Sequence, residues 1–438
     1  MSIVGKLFNF RVRVNILLIV IYMLTFISGI IYLLPSLEVL RSVVLMFCSV
    51  ITLFISIPAL RHLDLFYRCL LFVFVLIFCL NTFILNESVW YLSFYGQMDL
   101  FNLFGVIALL KEAEHNKCFP LLYRKLKAFC KIFLLFQIPF SIVQYLEFGA
   151  NDHVGGTYGL GGSGMLTCMC FLCVFFLIKS ADKFDLARLE FDYNYKKVFL
   201  ICVGLLPVFI NETKISIFLI PVLFIGVVKF RKVSSLIFST IIAATVLFLF
   251  STFYSNDVRN STSFSDIFHG DFVSEYLTGE LDEKSGDFSD IPRFTKIVYA
   301  YEKFSSDVFV FFLGNDYGAF KGKSVVDQST FSKEYSWLLY GSRPLIFNLF
   351  IMGGISLIIL LLTVLIRYIK LKEGTKSVSV ASLFFFYSLL VVLLLYNDSL
   401  LFLGFSAPFL LIVYCTKKLQ NRKKIYEFKK RKAFDSYP

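Results

Sequence analysis

Asn211-Glu212-Thr213-Lys214 stands between two short apolar runs. A carboxylate and an ammonium two positions apart have two readings. They pair with each other in a tight turn, or Lys214 faces an anion while Glu212 sets its position or takes a proton. A helix beginning near Lys214 adds unpaired backbone N–H groups, which reinforce an anion site. A second polar set lies in "FQIPFSIVQYLEFG", residues 136–149. Gln137, Ser141 and Gln144 recur at i, i+4 and i+7, which puts them on one helix face, and Glu147 follows near its end. Such a stripe lines a water-filled cavity or hydrogen-bonds a neighbouring helix.

The stretch "GGTYGLGGSGML", residues 155–166, contains Gly159-x-Gly161-x-x-Gly164, the spacing of a dinucleotide-binding turn. That turn works only between a strand and a helix, and no strand pattern precedes this one. The glycines are read instead as points where backbone comes close to a helix or an external ligand. Tyr158, Gly161 and Gly162 are the candidate contacts. A third set lies in residues 254–343, which carry 14 acidic and 9 basic residues and are therefore well solvated. Arg259, Arg293 and Arg343 are its arginines and His269 its histidine. A guanidinium fork binds phosphate bidentately, so these arginines suit a phosphate-bearing headgroup. Within this segment "IPRFTKIVYAYEKF" has helical apolar spacing. "VFVFFLGNDYGAF", which includes Tyr317, reads as an apolar element ending in a Gly-bounded turn.

The elements that must position these groups are membrane helices. The chain is 58% hydrophobic, with a mean hydropathy of +0.75 and 54 phenylalanines among 438 residues. Its recurrent runs of about 20 apolar residues match a bilayer core of about 30 Å. Twelve spans fit, at 15–34, 42–60, 69–85, 91–110, 128–148, 162–178, 198–210, 215–228, 233–253, 344–366, 378–396 and 400–415. Gln97, Asp99 and Asn102 interrupt the fourth, and the seventh and eighth are short. The run from Asn15 to Leu34 is too long for a signal peptide, lacks a small-residue cleavage pattern and is followed by more spans, so it reads as the first helix. With the N-terminus inside, 32 of the 43 Lys and Arg fall on the cytoplasmic side. Nine of the other 11 lie in the long loop; Arg41 and Lys214 are the remaining two.

The expected fold is an all-α polytopic membrane protein with one large external, periplasmic loop between spans 9 and 10. Residues 1–253 hold nine spans, 254–343 the loop, 344–415 three spans, and 416–438 a basic cytoplasmic tail. Both termini are expected in the cytoplasm.

The net charge of +12 does not point to nucleic acid. Nine basic residues sit in "KKLQNRKKIYEFKKRK" near the C-terminus, a segment suited to anionic membrane lipids. The ten cysteines lie in or beside apolar runs, where free thiols pack as small hydrophobes. Cys170 and Cys173 form a CxxC with no second pair or histidine near it. No acidic cluster reads as a metal site, so neither cofactor nor metal is expected.

Four stretches carry a family resemblance. "VQYLEFG" at 143–149 is followed by the Gly-rich stretch; then come "NETKISIFLIP" at 211–221, "FFLGNDYGAF" at 311–320 and "PLIFNLFIMGGISLIILLL" at 344–362. In order and spacing the chain resembles the bacterial O-antigen and capsule repeat-unit polymerases (the Wzy type), and more distantly the O-antigen ligases. The likeness covers most of residues 130–366. Lys214 stands where that family commonly has Arg, and His269 lies early in the loop, whereas the ligases use a late histidine.

The resemblance implies an inner-membrane glycosyltransferase. Its substrates are oligosaccharides on undecaprenyl diphosphate, and a chain-length-determinant protein is an implied partner. The growing chain moves to the non-reducing end of a new lipid-linked unit, and lipid diphosphate leaves. Fixed cations stabilise that leaving group, and Lys214, Arg293 and Arg343 are the candidates. A carboxylate or histidine takes the acceptor proton, which leaves Glu212 or His269. Gln137, Gln144, Tyr158 and Tyr317 are candidates to line the sugar path. A ligase-like glycosyltransferase or a flippase of the same lipid-linked units are the alternatives.

Overall fold

The computed structural model describes residues 9–33, 38–85, 90–149, 154–159, 161–181, 195–211, 215–227, 293–320, 328–339, 341, 343–370 and 380–435. These residues are helical with short connections. The first half holds α1 (Phe10–Leu33), α2 (Glu38–Ser56), α3 (Leu65–Leu80), α4 (Trp90–His115), α5 (Phe119–Phe148), α6 (Ser163–Ala181), α7 (Tyr195–Ile210) and α8 (Ser216–Val227). The second holds α9 (Arg293–Phe304), α10 (Val308–Leu313), α11 (Thr330–Glu334), α12 (Ser336–Leu339), α13 (Leu345–Ile369), α14 (Val380–Tyr396) and α15 (Leu403–Asp435).

Every expected span except the ninth coincides with a helix; the ninth, 233–253, lies outside the described residues. Among the described residues seven helices, α1–α6 and α13, are long and apolar enough to cross a membrane, and α7 and α14 contribute shorter apolar stretches. The last expected span is not a separate element. α15 continues without a break from Leu403 to Asp435, so the basic segment begins as helix. Its first residues return to the bundle. Lys418 pairs with Glu114, Lys417 donates to the Tyr368 carbonyl, and Gln420 donates to Ser382 at 2.8 Å.

α4 and α6 form the centre, with 78% and 83% of their apolar windows buried, against 28% for the α3 span. The outer helices turn Phe54, Phe72 and Phe83 outward, as lipid solvation requires. Small residues let helices approach: a methyl on Gly204 of α7 would stand 2.6 Å from Val174 of α6. Phe175 of α6 and Phe385 of α14 stack with centroids 4.0 Å apart and planes 6° from parallel.

α13 is broken at its middle. Gly353 has φ −143°, ψ 21° and Gly354 has φ 62°, ψ −163°, so helical hydrogen bonding lapses there. An unpaired carbonyl inside a bilayer costs several kcal/mol, so it needs a partner. The turn after α10 supplies one: Asn315 N and Asp316 N both donate to Ile351 O, at 2.8 and 3.2 Å. Only glycine fits at 354, since a Cβ there would lie 2.5 Å from Phe311 O and φ is left-handed. The expected apolar element and Gly-bounded turn at 308–320 are therefore present as α10 and Gly314, docked into a membrane helix.

Candidate functional site

Gln137 and Gln144 hold the glycine loop. Gln137 Nε2 donates to Thr157 Oγ1 at 2.6 Å and its Oε1 accepts from Thr157 N at 2.9 Å. Gln144 repeats the pattern two turns on, donating to Gly156 O at 3.0 Å and accepting from Gly156 N at 2.7 Å. Both amides are fully buried. The spacing placed them on one face correctly, but that face meets protein. They are corrected here from a path lining to a clamp on the loop. Ser141, between them, is also buried.

The clamped loop is tight. A methyl on Gly155 would fall 1.9 Å from Gly159 O, and one on Gly159, whose φ is 79°, would stand 3.1 Å from Ser28 O of α1. The close-approach reading of these glycines is met by α1. Tyr158 turns inward, 4% exposed, with its ring near Phe133 and Phe402 and its hydroxyl 3.5 Å from Gly404 O. Tyr317 is fully buried against Phe78, with its hydroxyl beside Gly353. Burial pushes its phenol up, so it stays protonated. Neither tyrosine forms an external surface, which corrects that expectation. Gly161 and Gly162 remain at the surface; Gly161 is exposed and Gly162 partly so.

The end of the loop joins three other segments. Asn211, closing α7, donates to Ser163 O at 3.2 Å and Thr167 Oγ1 at 3.0 Å on α6. The polar segment that begins at Asn211 thus starts against the glycine stretch. Gly164 packs against Tyr396 and Asn397 at the end of α14. Glu212, Lys214, Arg259 and His269 lie outside the described residues.

Two of the arginines converge on this corner. Arg293, first residue of α9, sets its guanidinium 4.1 Å over the Tyr396 ring. Arg343 lies just before α13, with Nη2 3.5 Å from Asp398 Oδ2 and its guanidinium 5.0 Å over Phe320. Asn348 Nδ2 donates to the same Asp398 oxygen at 2.7 Å, which ties the acid to α13. The site is therefore a corner, Tyr396-Asn397-Asp398, faced by two cations and backed by the glycine loop. Partly desolvated fixed cations of this kind suit a phosphate-bearing ligand. The sequence reading missed Tyr396, Asn397, Asp398 and Asn348. The signal was there: "YNDS" interrupts two apolar runs just as "NETK" does.

The helices and their composition define an all-helical polytopic membrane protein with a charged, aromatic corner at one end of the bundle. Comparison with protein-family models, curated proteins and solved structures gives no match for this chain.

Proposed function

We propose that the chain is a polymerase of lipid-linked oligosaccharide repeat units in the bacterial inner membrane, with twelve spans, both termini cytoplasmic and residues 254–343 periplasmic. The observation that carries this reading is the convergence of Arg293 and Arg343 on the Tyr396–Asp398 corner. These two arginines come from opposite ends of the described extramembrane segment. Displacing undecaprenyl diphosphate puts negative charge on a phosphate oxygen, and preorganised cations in a partly dry site stabilise it. Stacking on Tyr396 and pairing with Asp398 hold the guanidinium planes before substrate arrives, so less side-chain freedom is lost on binding. Lys214, three residues after Asn211 in the sequence, is kept as a third candidate cation.

The test is the surface-polysaccharide ladder of cells lacking the gene, beside wild type and a complemented strain. Loss of the ladder with a surviving single-repeat band is the expected result. An intact ladder overturns the reading. One observation favours a second reading: a broken helix such as α13 is common at transporter binding sites. A flippase would lose the single-repeat band too, with units trapped inside on their carrier.

A further inference from the structure

α4 carries a carboxylate well inside its apolar length. Asp99 is partly exposed, and it lines a cleft with Leu24 of α1, Leu45 and Ser49 of α2, Tyr95 of α4, and Phe402. An ionisable group at membrane depth is costly and is normally kept for a purpose. Tyr95, Asp99 and Asn102 recur at i, i+4 and i+7, so they share a helix face. Asn102 is fully buried, and neither its amide nitrogen nor its oxygen meets a hydrogen-bond partner among the described residues. On the α2 wall Arg41 precedes Leu45 and Ser49 by one and two turns, and its Nε is buried without a partner.

This mixture suits a sugar better than a cation. Aromatic rings beside a carboxylate and the hydroxyls of Ser49 and Tyr95 match alternating C–H faces and hydroxyl groups. A hard cation wants about six oxygen ligands, whereas Leu24, Leu45 and Phe402 make much of this wall apolar. The cleft is also next to the arginine corner. Phe402 follows Asp398 by four residues, which span about 14 Å at full stretch. The intervening 3₁₀ turn, Ser399–Leu401, shortens that further.

We propose that this cleft is the acceptor-sugar subsite and that Asp99 takes the acceptor hydroxyl's proton; the proposal rests on the polymerase reading above. The hydroxyl oxygen bonds to the anomeric carbon of the donor chain. The bond from that carbon to the diphosphate oxygen breaks, and its electron pair leaves with lipid diphosphate beside Arg293 and Arg343. The hydroxyl proton passes to the Asp99 carboxylate.

The experiment uses the full-length protein in lipid nanodiscs and lipid-linked single repeats extracted from cells lacking the gene. Asp99→Asn is expected to slow polymer formation about 100-fold or more, the usual yield of a positioned base, with an unchanged thermal midpoint. Asp99→Glu should retain part of the rate. Leu45→Trp fills the cleft and keeps the carboxylate, so it should raise the acceptor concentration needed for half-maximal rate. If Asp99→Asn and Leu45→Trp both stay within twofold of wild type while Arg293→Ala is inactive, this inference falls and the polymerase reading stands. A wild-type protein that forms no polymer overturns both. If polymer formation by wild type requires added sodium and Asp99→Asn abolishes that requirement, the cleft holds a cation and the sugar subsite is wrong.

Discussion

Arg343 Nη2 lies 3.5 Å from Asp398 Oδ2, and Asn348 donates to the same oxygen at 2.7 Å, so one acid fixes a loop arginine to the end of α14 through α13. Arg343 is about 30% exposed in its side chain, so this pair is a positioning contact more than a source of stability.

Arg343→Ala and Arg293→Ala should each remove polymer from the gel ladder at normal protein levels. Arg343→Lys should rescue poorly, because an ammonium cannot grip phosphate bidentately. Asp398→Asn keeps a side chain of similar shape but loses the charge, and it should weaken donor use less than Arg343→Ala does. Unchanged ladders in both alanine variants would remove the corner from the mechanism.

Gln137→Leu and Gln144→Leu should destabilise the protein. Each strands buried groups on the loop, at about 1–3 kcal/mol per unpaired group. The double variant should lose less than the sum, since one loop answers to both. Thermal unfolding in detergent measures this. Variants that stay fully stable but lose activity would return the glutamines to a substrate path.

Gly354→Ala should lower the thermal midpoint more than Gly353→Ala. A Cβ at 354 meets carbonyl oxygens of α10 at 2.5 and 2.7 Å in a left-handed backbone, a strain of about 1–3 kcal/mol before any clash. At 353 the close atoms, at 2.7 Å, belong to the Leu357 side chain and the Tyr317 hydroxyl rather than to backbone, and φ is not left-handed.

Lys417 lies past the apolar part of α15 and donates to the Tyr368 carbonyl. Burial lowers its ammonium to about 7, with Lys111 adding to the effect. Its folded pKa is below its unfolded value, so the unfolded chain binds the extra proton first. Stability is greatest above about 10.5 and is lost as pH falls toward 7. Lys417→Met should flatten that slope and raise the thermal midpoint at pH 7–8. Mass spectrometry after brief acylation with a small reagent near pH 8 should find Lys417 modified ahead of ordinary lysines.

The helices were readable because membrane spans announce themselves by length and apolar character alone, and α1 to α6 fall where those runs are. The site was harder. Gln137 and Gln144 share a face at any i, i+7 spacing, but nothing in that spacing says whether water or a glycine loop lies opposite. Tyr158 and Tyr317 look like surface aromatics until their neighbours are known. The Tyr396–Asp398 corner is so short between its apolar runs that it passes for a plain connection. Its partners, Arg293, Arg343 and Asn348, come from distant segments that only tertiary packing brings to it.

The break in α13 also bears on how the chain is made. Ile351 O takes its hydrogen bonds from Asn315 and Asp316, which leave the ribosome before α13 does. The donors that complete the helix are therefore synthesised ahead of the acceptor that needs them. A chain lacking residues 314–318 would leave α13 with a bare carbonyl at its break, at a cost of several kcal/mol in a bilayer.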